Sequence, residues 1–161
     1  MLLFKNRQRV RMEEKLDELA AEFFKTFSRM EYALKAASFH KGNGKAEANW
    51  TAFAEAINTC FDDIDDPHLI AALDYIENNP PKKQVVRDGT LEWSDVVPQS
   101  ASKVDLMLLY IRRVRNNLFH GGKFNGRWFE PERSRELIKH SLVILNACLN
   151  ANSDVRAAYQ G

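Results

Sequence analysis

The stretch Val104-Asp105-Leu106-Met107-Leu108-Leu109-Tyr110-Ile111-Arg112-Arg113-Val114-Arg115-Asn116-Asn117-Leu118-Phe119-His120-Gly121-Gly122 decides the fold. Val104, Met107, Leu108, Ile111, Val114 and Leu118 recur at steps of three and four, the period of one face of an α-helix. Leu106, Leu109 and Tyr110 make other sides apolar as well, so a helix from Lys103 to about Phe119 belongs inside a domain or a subunit interface. Ser100 or Ser102 supplies its N-cap. Arg115 falls in the middle of the main stripe, where a guanidinium is costly unless it is paired. Glu31, at the edge of another apolar stripe, is the candidate carboxylate. Asn116 and His120 are four apart and share a helix side, whereas Arg115 and His120, five apart, diverge by about 140°. Gly121-Gly122 lets the helix stop and leaves the imidazole at a polar end.

Downstream, a short loop carries Lys123, Phe124, Arg127, Trp128 and Phe129. A long helix then follows from Pro131 to about Leu149, with Leu137, Ile138, Ser141, Leu142, Leu145, Cys148 and Leu149 inward, and a short terminal piece begins at Asn152-Ser153-Asp154. Upstream, residues 82–100 break the helical pattern: Val85-Val86-Arg87 and Thr90-Leu91-Glu92-Trp93 flank Asp88-Gly89, a two-residue hairpin signal with β-favouring arms. A helix from Pro67 to about Glu77 is capped by Asp66-Pro67. A further helix is expected from about Glu47 to Cys60. The first runs from about Val10 to Phe39, with Leu16, Leu19, Ala20, Phe23, Phe27, Met30, Leu34 and Ala37 on one stripe and Gly42-Asn43-Gly44 as its stop. These elements predict an all-α antiparallel bundle, one domain over 1–161, with a small hairpin excursion around residues 82–100.

The composition suits an ordinary globular protein, with 45% apolar and 28% charged residues, enough to bury a core. The net charge of +1 excludes a global field that would pull the chain onto nucleic acid or an acidic membrane. Residues 112–135 nevertheless hold seven Arg and Lys against Glu130 and Glu132, a local +5 that leaves the remainder at −4. Cys60 and Cys148 lie far apart in sequence without ligand-spaced His, and read as free thiols rather than a disulfide or zinc pair. The acidic run Asp62, Asp63, Asp65 and Asp66 does not have calcium-loop spacing, and no metal or cofactor is expected. His40-Lys41-Gly42-Asn43-Gly44-Lys45 follows a helix instead of a strand and reads as a turn, not a phosphate loop. The opening Met1-Leu2-Leu3-Phe4 is too short an apolar run for a signal peptide, and no stretch approaches a membrane span, so a cytoplasmic location without membrane contact is expected.

Imidazole suits proton transfer near neutral pH, and guanidinium matches a phosphate with a fixed charge. Together they are a minimal set for attack on a phosphodiester by its own 2′-hydroxyl, with His120 managing the proton and Arg115 stabilising the phosphorane oxygens. Because the two diverge on one helix, a symmetric dimer in which the motif helices meet is the natural way to unite them. A helix C-terminus favours His and Gly for capping and dipole reasons alone, so the residue chemistry leaves a structural reading open. Basic residues interleaved with aromatics suit single-stranded RNA, which makes Arg112, Arg113, Lys123 and Arg127 candidates for backbone contact, while Trp128 and Phe129 also suit packing against the bundle.

Arg115-Asn116-Asn117-Leu118-Phe119-His120-Gly121 resembles the signature of the HEPN superfamily, an Arg, a short gap and a His, with a polar residue after the Arg. The long first helix around Phe27-Ser28-Arg29-Met30-Glu31-Tyr32 and the approach Leu109-Tyr110-Ile111-Arg112-Arg113-Val114 look like stand-alone bacterial members of that superfamily. The resemblance implies a metal-independent endoribonuclease, homodimeric, leaving a cyclic phosphate, with Arg115 and His120 catalytic and Asn116 supporting. It implies a role in toxin–antitoxin or anti-phage defence, with a cognate antitoxin or regulatory protein as partner. Members that pair with a nucleotidyltransferase antitoxin carry a Tyr two residues after the His; Gly122 stands there, which speaks against that pairing. The alternative is a non-catalytic module of the same superfamily that binds RNA, a nucleotide or a partner protein.

Overall fold

The first helix shows how this chain builds its interior. Leu16, Ala20, Phe23, Phe27, Met30 and Leu34 recur at steps of three and four, and all six are buried. Each large side chain so buried contributes roughly 1.5–3 kcal/mol, so the stripe outweighs the helix's intrinsic propensity by a wide margin. The computed structural model describes residues 2–120, 123–124, 127–128 and 130–161, without the side chains of residues 2–5, 123, 124 and 127. Its elements are α1 (Leu2–Ala36), α2 (Trp50–Ala56), α3 (Pro67–Asn78), β1 (Lys83–Arg87), β2 (Thr90–Ser94), α4 (Lys103–His120), β3 (Lys123–Phe124), β4 (Arg127–Trp128), α5 (Pro131–Asn150) and α6 (Ser153–Gln160). The architecture is mostly helical, as expected, and none of the described helices is long and apolar enough to cross a membrane.

The core is one cluster. Phe23, Met30 and Leu34 of α1 meet Met107, Leu108, Ile111 and Val114 of α4 and Ile138, Leu145 and Cys148 of α5. α4 starts where Ser102 Oγ accepts from the Asp105 N–H (3.1 Å), while Asp105 Oδ2 accepts from the Ala101 N–H (3.0 Å). This reciprocal cap is of the capping-box kind, and it selects Ser102 over Ser100. α3 begins as the sequence predicts, with Pro67 in its first turn and Asp66 Oδ1 accepting from the His68 N–H (2.9 Å). Along α5 every residue expected inward is buried except Leu137, which is half-buried.

Two helices differ from expectation in their bounds, and α1 begins at Leu2, ahead of the expected start near Val10. α1 ends at Ala36, short of the glycines, because Ser38 turns into left-handed backbone at φ 70°. The Phe39 N–H reaches back to the Leu34 carbonyl (2.8 Å) and the Ser38 N–H to the Lys35 carbonyl (3.3 Å), the paired bonds of a Schellman stop. Residues 40–45 do form a turn: the Gly42 N–H donates to His40 Nδ1 (3.1 Å), and Lys41 Nζ lies 3.0 Å from the Glu47 carboxylate. α2 is also shorter than the expected span, since Asn49 caps it by accepting from the Ala52 N–H (3.1 Å) and the chain after Ala56 continues in tight turns.

The hairpin appears in the expected place. β1 and β2 pair with Val86 opposite Leu91 and Arg87 opposite Thr90, and the turn residues Asp88 and Gly89 sit at φ 48° and 76°. Positive φ at both positions is the geometry for which Asp-Gly is selected. Within the segment expected to be a loop after α4, β3 and β4 pair antiparallel, with Lys123 opposite Trp128 and Phe124 opposite Arg127. Two-residue strands fall below the length at which alternation can be read in a sequence.

Cys60 and Cys148 are both free, but the fold brings their thiols close enough to influence each other, which their separation in sequence does not announce. That proximity holds Cys60 below the ordinary thiol range and, together with burial, pushes Cys148 well above it.

Both the Ser38 stop and the surroundings of His140 bear on stability. A serine at φ 70° carries a left-handed penalty that glycine avoids, so Ser38→Gly is expected to stabilise the protein by about 0.5–1 kcal/mol. Thermal unfolding checks it, and an unchanged or lower melting temperature would refute strain at that stop. His140 stacks its ring on Tyr75 (4.6 Å), with Nε2 3.3 Å from Glu136. Burial lowers its pKa, Glu136 opposing. The folded state therefore disfavours the imidazolium: this contribution is intact above the unfolded value of about 6.5 and is lost as pH falls from there toward the lower folded value. Urea midpoints measured between pH 8 and 5 are expected to decline less steeply in His140→Gln than in wild type.

Candidate functional site

Packing determines which side of α4 is left for chemistry. Val104, Met107, Leu108, Ile111 and Val114 turn inward, and this leaves Arg112, Asn116 and His120, spaced by four, along one outward side. Asn116 and His120 are exposed, and Arg112 is half-buried.

The hairpin faces that side. Its base is held to the helices by side chains that donate to carbonyls: Asn117 Nδ2 to Lys82 (2.7 Å), Arg113 Nη2 to Val96 (3.0 Å) and Arg133 Nη2 of α5 to Pro80 (3.0 Å). Arg113 also reaches the Pro81 carbonyl (3.5 Å) and lies 5.7 Å from the Tyr110 ring centre. Hydrogen bonds from charged donors are worth roughly 1.5–3 kcal/mol, so Arg113 and Arg133 together are sufficient to fix the excursion on the bundle. A groove of about 430 Å³ opens between the hairpin and α4, bordered by Lys83 and Gln84 of β1, Pro98, and Leu109, Arg112, Asn116 and His120 of α4.

Arg115 stands outside this groove. It is half-buried, not enclosed as its place in the apolar stripe predicts, with its guanidinium 5.7 Å from the Phe27 ring centre and 5.5 Å from that of Phe119. Its Nη1 donates to Asn116 Oδ1 (2.9 Å). Two partly exposed cation–π contacts of about 0.5–1 kcal/mol each, with that hydrogen bond, are enough for a half-solvated charge. The expected ion pair with Glu31 is absent: Glu31 Oε1 instead accepts from Trp50 Nε1 (3.2 Å), tying α1 to α2. The carboxylate's field reaches Arg112. Phe119, 67% exposed, bridges the two motif residues, with its ring 5.0 Å from His120 in edge-on contact and 6.4 Å from Phe24.

The structure thus gathers Asn116, His120, Arg112 and Arg113 around or under one groove and sets Arg115 on the adjoining flank. Trp128 is buried and its Nε1 donates to Asp17 Oδ1 (2.8 Å), the packing role rather than a stacking one. The Gly121-Gly122 stop, Phe129, and the side chains of Lys123 and Arg127 lie outside the described residues. Lys83 and Gln84 were not among the sequence candidates. Pro80-Pro81-Lys82-Lys83 is a visible basic signal, but nothing in it says which helix it will face.

A second concavity, about 380 Å³, lies on the other side of the hairpin between α4 and α5, walled by Pro81, Trp93, Val114, Leu118, Leu137 and Ile138. It is mainly apolar, with Lys82, Glu130, Arg133 and Ser134 at its polar edge, and among the described residues no imidazole borders it. Comparison with known proteins returns no matching family model, no matching curated protein and no matching solved structure.

Proposed function

We propose that this protein is a metal-independent endoribonuclease of the HEPN type, cutting RNA at a site composed by two copies of the chain. The observation that carries the proposal is the division of the motif: His120 and Asn116 border a groove beside basic residues, while Arg115 lies on the adjoining flank behind Phe119. One chain then offers an imidazole to its groove and an arginine to its neighbour. Pairing two such ends supplies each site with both, and covers the exposed Phe119 ring.

In this reading His120 takes the proton of the 2′-hydroxyl as that oxygen attacks the adjacent phosphorus. The P–O5′ bond breaks, the 5′-oxygen leaves with a proton taken from water, and a 2′,3′-cyclic phosphate remains. Arg115 donates to the non-bridging oxygens, whose charge grows in the phosphorane. Asn116, already hydrogen-bonded to Arg115, aligns it for that task. The resemblance to defence-associated relatives extends the proposal to growth arrest in toxin–antitoxin or anti-phage systems, under control of a regulatory partner.

A second reading has its own support. Arg115 is engaged by Phe27, Phe119 and Asn116 of its own chain, an arrangement that also suits a non-cutting module whose groove binds RNA, a nucleotide or a partner protein.

The test is cleavage of labelled RNA by purified protein in EDTA. Arg115→Ala and His120→Ala are each expected to reduce the rate by about 10²–10⁴-fold, the range for loss of a general base or an oxyanion donor. Mixing the two variants should restore about a quarter of wild-type activity, because half the dimers then hold one intact composite site. Undiminished cleavage by both single variants would remove the assignment, and failure of the mixture to regain activity would remove the composite site.

A further inference from the structure

The basic residues at the hairpin–α4 junction divide into two kinds. Arg113 and Arg133 are committed to the fold through carbonyls of the hairpin base. Arg112 is different. Among the described residues no hydrogen bond and no ion pair within 4 Å reaches its guanidinium, although it is half-buried and borders the groove. Burial lowers its pKa from the usual arginine value, while Asp105 and Glu31 oppose this from a distance.

Neither carboxylate completes Arg112. Glu31 is held by Trp50, and Asp105 Oδ2 caps α4 through the Ala101 N–H. Asp105 Oδ1 is buried without a hydrogen-bond partner, so an available acceptor on the same helix is left unpaired rather than matched to this guanidinium. The two acids offset part of the cost of desolvating the charge and leave its five donors free. A half-desolvated guanidinium with open donors is suited to a planar or tetrahedral anion that completes it. Lys83 on the hairpin wall, likewise without a carboxylate within 4 Å among the described residues, adds a second cation to the same groove, and Gln84 and Asn116 add neutral amides.

We propose that the hairpin and α4 form a phosphate-binding groove in which Arg112 and Lys83 hold a backbone phosphate of a single RNA strand, adjacent to the one that His120 reaches. The identity of the strand rests on the nuclease reading; the anion site stands without it. A groove of about 430 Å³ accommodates a group on the order of one nucleotide, and a duplex does not enter it. The excursion at residues 83–94 thereby acquires a role as the second wall of the site. Arg112 acts as a binding and positioning residue, not as an acid or base.

Binding is measured with the full chain by fluorescence anisotropy on a single-stranded 2′-O-methyl RNA oligonucleotide, which lacks the attacking hydroxyl and reports binding without cleavage. Arg112→Met is expected to weaken Kd by about tenfold and to lower the slope of log affinity against log salt by about one. Lys83→Ala should lower the slope likewise with a smaller loss, and Arg156→Ala, an exposed cation on α6, should leave both unchanged. Because Arg112→Met removes a half-desolvated charge, it should melt at or above the wild-type temperature. A lower melting temperature would make Arg112 a structural cation and overturn the proposal, as would wild-type affinity in Arg112→Met. Adenosine monophosphate should compete only weakly; displacement as efficient as by the oligonucleotide, phosphate for phosphate, would replace the strand with a free nucleotide. If binding depends on Arg112 but no RNA is cut, the nuclease reading falls and the groove stands. If RNA is cut with unaltered binding in Arg112→Met, the reverse holds.

Discussion

Everything at the candidate site depends on the burial of one face of α4. Met107, Leu108 and Ile111 are wholly enclosed, and Val104 and Val114 nearly so, with α4 packed mainly against α2 and α5. A helix whose inner stripe is packed at crystal-like density cannot rotate without opening voids, so its outer residues are held in direction as firmly as its inner ones. Arg112, Asn116 and His120 therefore occupy one side because the residues between them are fixed on the other. The reactive stretch is precise only in so far as the core beneath it is tight.

The second constraint is the attachment of the hairpin. An isolated two-stranded ribbon is marginal in water, and this one exposes Val86 and Leu91 on one of its faces. It holds its place through the carbonyls at its base, which accept from Asn117, Arg113 and Arg133. Those three donors come from the same two helices that carry the core, so the groove between hairpin and α4 inherits their rigidity. Two neighbouring arginines on α4 thus do opposite things. Arg113 spends its donors on backbone oxygens, and Arg112 keeps its own open.

Charge placement follows from how much water each group retains. Arg115, read from its position in the stripe, needs a carboxylate; in the fold it stays half-solvated, so aromatic faces and one amide oxygen are enough. Glu31 is released from that role and binds the indole of Trp50, joining α1 to α2. Phe119 is the hinge of the arrangement, touching Arg115 on one side and His120 on the other while its ring remains largely open to solvent.

Local chemistry made much of this legible. The stripes of α1, α4 and α5, the Asp66-Pro67 start of α3 and the Asp88-Gly89 turn each rest on interactions within a few residues, and they stand where the sequence places them. Asn116 and His120 share a side because they are four apart on a helix, a fact of geometry available before any fold. What the sequence could not determine was anything set by the distance between elements. The stop of α1 at Ser38 rests on a residue with weak left-handed preference, held there by the contacts around Phe39. The nearness of Cys60 to Cys148, the Trp128–Asp17 bond and the meeting of Lys83 with Arg112 across a groove join residues far apart along the chain. Periodicity reports which face of a helix is buried, but it carries no information about which other element buries it. That choice is made by the packing of whole elements, and it decided which of the arginines came to share a groove with His120.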